Sequence, residues 1–127
     1  MNPATRPKRI LIIDDAATTR SYHRKILADS GFAMDDAVDG MEALEMATQH
    51  EYDLFLVDVL MPKMDGYAFL AAMRARRSAP QPPALVITNL SASRYAGEAY
   101  RSGANFFMSK PAHPGDLLTA ATLLIGD

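Results

Sequence analysis

The 127-residue sequence contains no cysteine. Disulfide frameworks, thiol catalysis and thiolate metal sites are excluded together, and a reducing, cytoplasmic setting fits. Long apolar runs are missing too. The start, MNPATRPKR, leads into only four apolar residues, Ile10 to Ile13, before two aspartates, so it lacks the apolar stretch of a secretory signal. No later segment approaches the roughly 20 apolar residues of a membrane span, and no membrane insertion is expected. There is no strong excess of either charge: the formal net charge is -2, and Arg6, Lys8 and Arg9 read as a solvated flank. Nucleic acid is therefore not an expected partner.

What is present is globular. About half of the residues are apolar (49%) and about a fifth charged (22%), in a chain long enough for one core and too short for two ordinary domains. Residues 1–8 read as a flexible flank and 9–127 as a single domain. Short apolar runs recur at Ile10 to Ile13, Leu54 to Val57, Ala84 to Ile87 and Asn105 to Met108. Each lacks alternation and reads as a strand buried on both faces. Ala33 to Val38, with Asp35 and Asp36, reads as an edge strand. Helical periods lie between them: Tyr22, Ile26 and Leu27; Met41, Leu44 and Ala47; Phe69, Leu70 and Met73; Ala96, Ala99 and Tyr100; and Leu117, Leu118, Ala121, Leu124 and Ile125. Gly31, Gly103 and Gly126 stand where left-handed caps are wanted. Strand and helix alternate five times, the pattern of an α/β parallel sheet with helices on both faces.

In such a fold ligands bind beyond the carboxyl ends of the strands. Asp14 and Asp15 follow the first strand, Asp58 the third, Thr88 ends the fourth, and Ser109, Lys110 and Pro111 follow the fifth. All should gather at one rim. At about 4 Å and an effective dielectric of about 20, each close carboxylate pair costs about 4 kcal/mol, and one lysine cannot balance three negative charges. Oxygen ligands without His or Cys suit a hard cation, Mg²⁺ best. An aspartate at such a site can attack phosphorus and carry an acyl phosphate, with Lys110 and Thr88 positioned to meet phosphoryl oxygens. Chemistry alone does not choose the nucleophile; Asp14 and Asp15 look like a metal-holding pair, which leaves Asp58.

Together, "LIIDDAATTR", "LVDVLMPKMDG", "LVIT" and "FFMSKP" resemble the receiver domain of two-component response regulators over nearly the whole chain, the stand-alone chemotaxis type included. The resemblance implies a flavodoxin-like (βα)5 sandwich of strand order 2-1-3-4-5. It implies Asp58 as acceptor of phosphoryl from a sensor histidine kinase or histidine phosphotransfer protein. Mg²⁺, with Mn²⁺ as a substitute, is then held by Asp14, Asp15, Asp58 and the Leu60 backbone carbonyl. Thr88 and Lys110 match the residues that bind the phosphoryl group, and Phe107 the aromatic rotamer switch. The bond before Pro111 is expected to be cis. Phosphorylation would shift populations and rearrange the face of the fourth helix, fifth strand and fifth helix, to be read by a downstream protein.

Several residues depart from the family or admit plainer readings. Asn89 stands where a small residue is usual. Leu60 and Leu90 cannot orient an attacking water, so self-dephosphorylation is expected to be slow. The last helix is poor in charge, which argues against a salt-bridged dimer. Helix capping is the plain reading of Asp14, Asp15 and Asp58, but it leaves Lys110 and Thr88 unexplained. Capping is the expected role of Asp65, and a turn that of Asp39 and Gly40. His23, His50, His113 and Arg20 read as surface residues, Met61 and Met64 as loop packing. Two alternative functions are an unphosphorylated interaction module, though no acidic residue or lysine is lost, and a Mg²⁺-dependent phosphohydrolase, though Leu60 replaces its usual second acid. A flavodoxin-type cofactor site is disfavoured because no Gly-rich or Ser/Thr-rich loop follows the first strand. No output domain is visible after the fifth helix, so both a stand-alone regulator and a receiver cut from a longer chain fit.

Overall fold

The computed structural model describes residues 6–126; residues 1–5 of the expected flank, and residue 127, lie outside them. Strand and helix alternate throughout: β1 (Arg9–Ile13), α1 (Ala17–Ala28), β2 (Ala33–Ala37), α2 (Gly40–Gln49), β3 (Leu54–Val57), α3 (Gly66–Arg74), β4 (Ala84–Thr88), α4 (Ala92–Ser102), β5 (Phe106–Ser109) and α5 (Pro114–Ile125). The strands form one parallel sheet in the order β2-β1-β3-β4-β5. The chain steps outward from β1 to β2, then crosses back to β3. That reversal opens a crevice at the carboxyl ends of β1 and β3.

The unbroken apolar runs are explained by two cores. Leu11, Ile13, Phe55, Val57 and Val86 join Phe69, Leu70 and Ala99 on one face of the sheet. Ile10, Ile12, Leu54, Leu56, Leu85 and Ile87 join Leu27, Leu117 and Ala121 on the other. Each fully buried Leu, Ile or Phe contributes about 1.5–3 kcal/mol on leaving water, which supplies a rigid base for charge at the rim.

Some expectations need correcting. The Asn105 to Met108 run is not buried on both faces: β5 is an edge strand, Phe106 is 44% exposed, and only Phe107 is buried within it. Its apolar outer face has no further strand to cover it. In α2 the buried positions are Gly40, which lies against Met64, and Ala43, whereas Met41 is exposed. Tyr22 and Tyr100 are partly exposed at the margins of their faces. Asp39 does more than make a turn: its Oδ1 accepts from the Glu42 N–H at 2.8 Å and caps α2. Asp65 caps α3 by accepting from the Ala68 N–H at 2.8 Å. Gly31 and Gly103 have the positive φ expected of them, 78° and 115°, but only Gly103 is itself a helix cap. Gly126 also has a positive φ, 74°, with an extended ψ of -153° in place of a left-handed cap.

Candidate functional site

The ladders continue past the strands and fix the acidic residues by their backbones. The Asp14 N–H donates to the Ala37 carbonyl at 3.0 Å and the Asp58 N–H to the Ile13 carbonyl at 2.9 Å. After Asp58 the chain must turn sharply. The Gly66 N–H donates to the Val59 carbonyl at 2.9 Å, and a Cβ at Gly66 would collide with the Asp58 carbonyl oxygen, so glycine is what lets α3 start so close. Met64 packs in the same loop, its carbonyl accepting from the Gly40 N–H at 3.1 Å.

The side chains converge. Asp14, Asp15 and Asp58 each offer a carboxylate oxygen, all within 4.8 Å of one another. Lys110 Nζ lies 2.7 Å from Asp14 Oδ2 and 3.4 Å from Asp58 Oδ2. The second oxygen of Asp14 accepts from the Ala16 N–H at 2.9 Å, and that of Asp58 from the Val59 N–H at 2.9 Å. Asp14 and Asp58 are buried and Asp15 is exposed. Burial raises the Asp58 pKa; Lys110 opposes the rise and Asp14 reinforces it. The unbalanced charge inferred from sequence is thus physically present, and the all-oxygen donor set, with one carboxylate open to solvent, fits a hard divalent cation.

Thr88 is fully buried at the end of β4, and the Lys110 N–H donates to its carbonyl at 2.9 Å, tying two strand ends together. The Lys110–Pro111 peptide is cis. Leu60 is exposed and lines, with these residues, a cleft of about 480 Å³. Phe107 is not at this cleft; it lies in the core cluster of the α4 side. A larger cleft, about 790 Å³, opens between the end of α2 and the loop after α3, but it gathers no acidic cluster.

Two residues expected at the surface are found elsewhere. His23 is buried under the cleft, where burial lowers its pKa, Asp14 opposes that shift and Lys110 adds to it. Arg20 folds inward: its Nη1 donates to the Asp14 carbonyl at 2.6 Å and its Nε to Asp36 Oδ2 at 3.1 Å. Sequence spacing held the signal, because Arg20 and His23 precede Leu27 by seven and four residues and so share its buried face. Tyr22, at the cleft margin, donates its hydroxyl to the Ala112 carbonyl at 2.8 Å. His50 and His113 are exposed; His113 Nδ1 accepts from the Gly115 N–H at 3.1 Å at the start of α5.

The model of the response regulator receiver domain matches residues 10–122. The chain is 33% identical over 120 residues to the transcriptional regulatory protein PdtaR of Mycobacterium tuberculosis, covering 94% of this chain and 57% of that protein. It is 34% identical over 112 residues to the sensor histidine kinase CheAY of Helicobacter pylori, covering 87% of this chain and 14% of that protein. It spans little more than half the length of several curated relatives, between 53% and 57%. Among solved structures it is similar to the chemotaxis protein CheY4 of Vibrio cholerae, with a TM-score of 0.86, 29% identity and coverage of 94% and 99% of the two chains. A CheY-like receiver domain protein of Methanospirillum hungatei gives 0.84 at 26% identity, with 94% of each chain covered. Among the described residues no helix is long and apolar enough to cross a membrane.

Proposed function

Since the chain belongs to the response regulator receiver domain family of two-component signalling, we propose that Asp58 accepts a phosphoryl group from a sensor histidine kinase or histidine phosphotransfer protein, with Mg²⁺ as cofactor. The observation that carries this reading is the charge imbalance: three carboxylates offer oxygens within 4.8 Å, against the single ammonium of Lys110. Asp14, Asp15, Asp58 and the Leu60 carbonyl would hold the ion. The ion supplies positive charge that offsets the phosphoryl oxygens.

The protein's own groups do the rest. An Asp58 oxygen attacks phosphorus as the phosphorus–nitrogen bond of a phosphohistidine donor breaks, and the electron pair leaves with the imidazole. Lys110, now at 3.4 Å from Asp58, pairs with a phosphoryl oxygen. The Thr88 hydroxyl, at the end of the neighbouring strand, meets another. The product is a signalling state with slow self-dephosphorylation, since the Leu60 side chain at the cleft cannot orient a water; rapid hydrolysis of the isolated phosphoprotein would contradict this. Output passes through α4, β5 and α5 to a downstream protein in the cytoplasm. Phe107, read as the switch residue, is buried, and Phe106 and Leu123 stand exposed on the output face.

The test is incubation with Mg²⁺ and acetyl phosphate, read by intact mass. The wild type should gain one phosphoryl group and Asp58→Asn none. Equal gain in both proteins, or none in the wild type, sinks the reading.

A further inference from the structure

Arg20 has no part in the chemistry above, yet it supplies a bond that would otherwise be missing from the acidic site. Every other polar group of Asp14 is already engaged: its N–H by the Ala37 carbonyl, one carboxylate oxygen by the Ala16 N–H and the other by Lys110. Its carbonyl is held by Arg20 Nη1 at 2.6 Å. That carbonyl belongs to the peptide plane joining Asp14 to Asp15, so the guanidinium fixes the direction in which the chain enters Asp15. Asp15 needs this help. Its exposed carboxylate makes no hydrogen bond with the described residues, so its position in the cluster depends on its backbone.

The guanidinium is itself aimed from the far side. Arg20 Nε donates to Asp36 Oδ2 at 3.1 Å, and the Arg20 side chain is only 14% exposed. Asp36 lies on β2, outside the cleft, and is held in turn by Arg24, whose Nε donates to Oδ1 at 2.9 Å. Arg24 also donates to the Met34 carbonyl at 3.2 Å, within the same edge strand. Asp36 occupies the β2 position paired with Ile12, two residues before Asp14. The edge strand therefore reaches the acidic pair through a side-chain relay from Asp36 to Arg20 to the Asp14 carbonyl.

We propose that Arg20, oriented by Asp36, is a positioning residue for divalent-cation binding, acting on the Asp14–Asp15 peptide and not on the cation. This rests on the metal-dependent reading of the same cluster. A lysine at position 20 cannot replace it, because one ammonium on a flexible stem cannot reproduce two divergent bonds held by a planar fork. Residues that orient metal ligands from behind commonly change metal affinity when removed by about 10- to 100-fold.

Mg²⁺ titration by calorimetry, with thermal unfolding of each metal-free protein, tests the relay. Arg20→Gln should bind Mg²⁺ about 10-fold more weakly than wild type, and Arg20→Lys should not restore affinity. Asp36→Asn should weaken binding in the same direction. Arg24→Gln keeps both Arg20 bonds and removes only the outer partner of Asp36, so it should lower stability with a smaller loss of affinity than Arg20→Gln. Because metal affinity is read on proteins shown to be folded, a purely structural role would lower the unfolding temperature of Arg20→Gln and Arg24→Gln alike and leave both affinities at the wild-type value. That result overturns the inference alone. Absence of Mg²⁺ binding in the wild type overturns the underlying functional reading with it.

Discussion

Asp35 and Asp58 are both carboxylates on or just past a strand, both drawn partly out of water, and the protein treats them in opposite ways. Asp35, on the outer strand β2, accepts from the Tyr52 hydroxyl at 2.8 Å and from Arg9 Nη1 at 3.0 Å. Burial would raise its pKa, but those two partners outweigh burial and bring it below its ordinary value of 3.8. Asp58, after the central strand β3, has Lys110 at 3.4 Å, a cation already committed to Asp14 at 2.7 Å. Burial raises it, and the Lys110 attraction does not undo the rise. Asp35 has a guanidinium and a hydroxyl of its own; Asp58 has the Val59 N–H at 2.9 Å and a lysine it shares with Asp14. Structural carboxylates are balanced within the fold, whereas a binding site keeps its imbalance for the ligand.

The largest test of that contrast is the response of stability to pH. Asp58 has a raised folded pKa, so the cost of ionising it is absent below 3.8, grows as the pH climbs from there and is complete above the folded value. In chelator, Asp58→Asn should therefore unfold at a higher temperature than wild type at neutral pH, with the gap closing below 3.8. Differential scanning calorimetry across this range measures it. An Asn variant less stable than wild type at neutral pH would mean that Lys110 fully balances Asp58, and the comparison would fail.

Asp35 should show a smaller effect of the other sign. Its lowered folded pKa gives stability that is complete above 3.8 and is lost as the pH falls through the folded value. Asp35→Asn should cost about 1 kcal/mol at neutral pH by urea denaturation, the scale of one hydrogen bond to a charged group after partial exposure is allowed for. The loss should vanish in acid. The two aspartates would then tilt the stability profile in opposite directions on either side of the same pH.

How far this division could be read from sequence depended on what each signal encoded. Runs such as "RILII" and "LFLV" state their own burial, and five alternations of strand and helix leave few ways to arrange a parallel sheet, so the rim that gathers Asp14, Asp58, Thr88 and Lys110 was legible. Edge status was less so. Asn105 to Met108 looks as apolar as an inner strand, and only the strand order leaves Phe106 uncovered. Polar residues on buried helix faces were missed for a similar reason. Arg20 and His23 read as surface by residue type, while their spacing from Leu27 put them inside. The partners of Asp35 and Asp36 were not legible at all, because Arg9, Tyr52, Arg20 and Arg24 reach them across distances in sequence that no period records.

The finest test divides Asp35's two partners. Arg9 is 40% exposed on its side-chain surface, so solvent screens its pairing and the flexible stem loses freedom on holding it. The Tyr52 hydroxyl belongs to a buried ring and costs less entropy to place. Arg9→Met keeps much of the apolar stem, leaves the Tyr52 bond intact and should cost only about 0.5 kcal/mol in low salt. Raising the salt should shrink that difference toward zero, while the cost of Tyr52→Phe should hardly change. Urea denaturation of both variants at two ionic strengths distinguishes the cases. If Arg9→Met costs more than Tyr52→Phe and resists salt, Asp35 is satisfied mainly by an ion pair and not by a buried hydrogen bond. The contrast with Asp58 would then come down to how closely one cation approaches, since each carboxylate would depend on a single basic side chain.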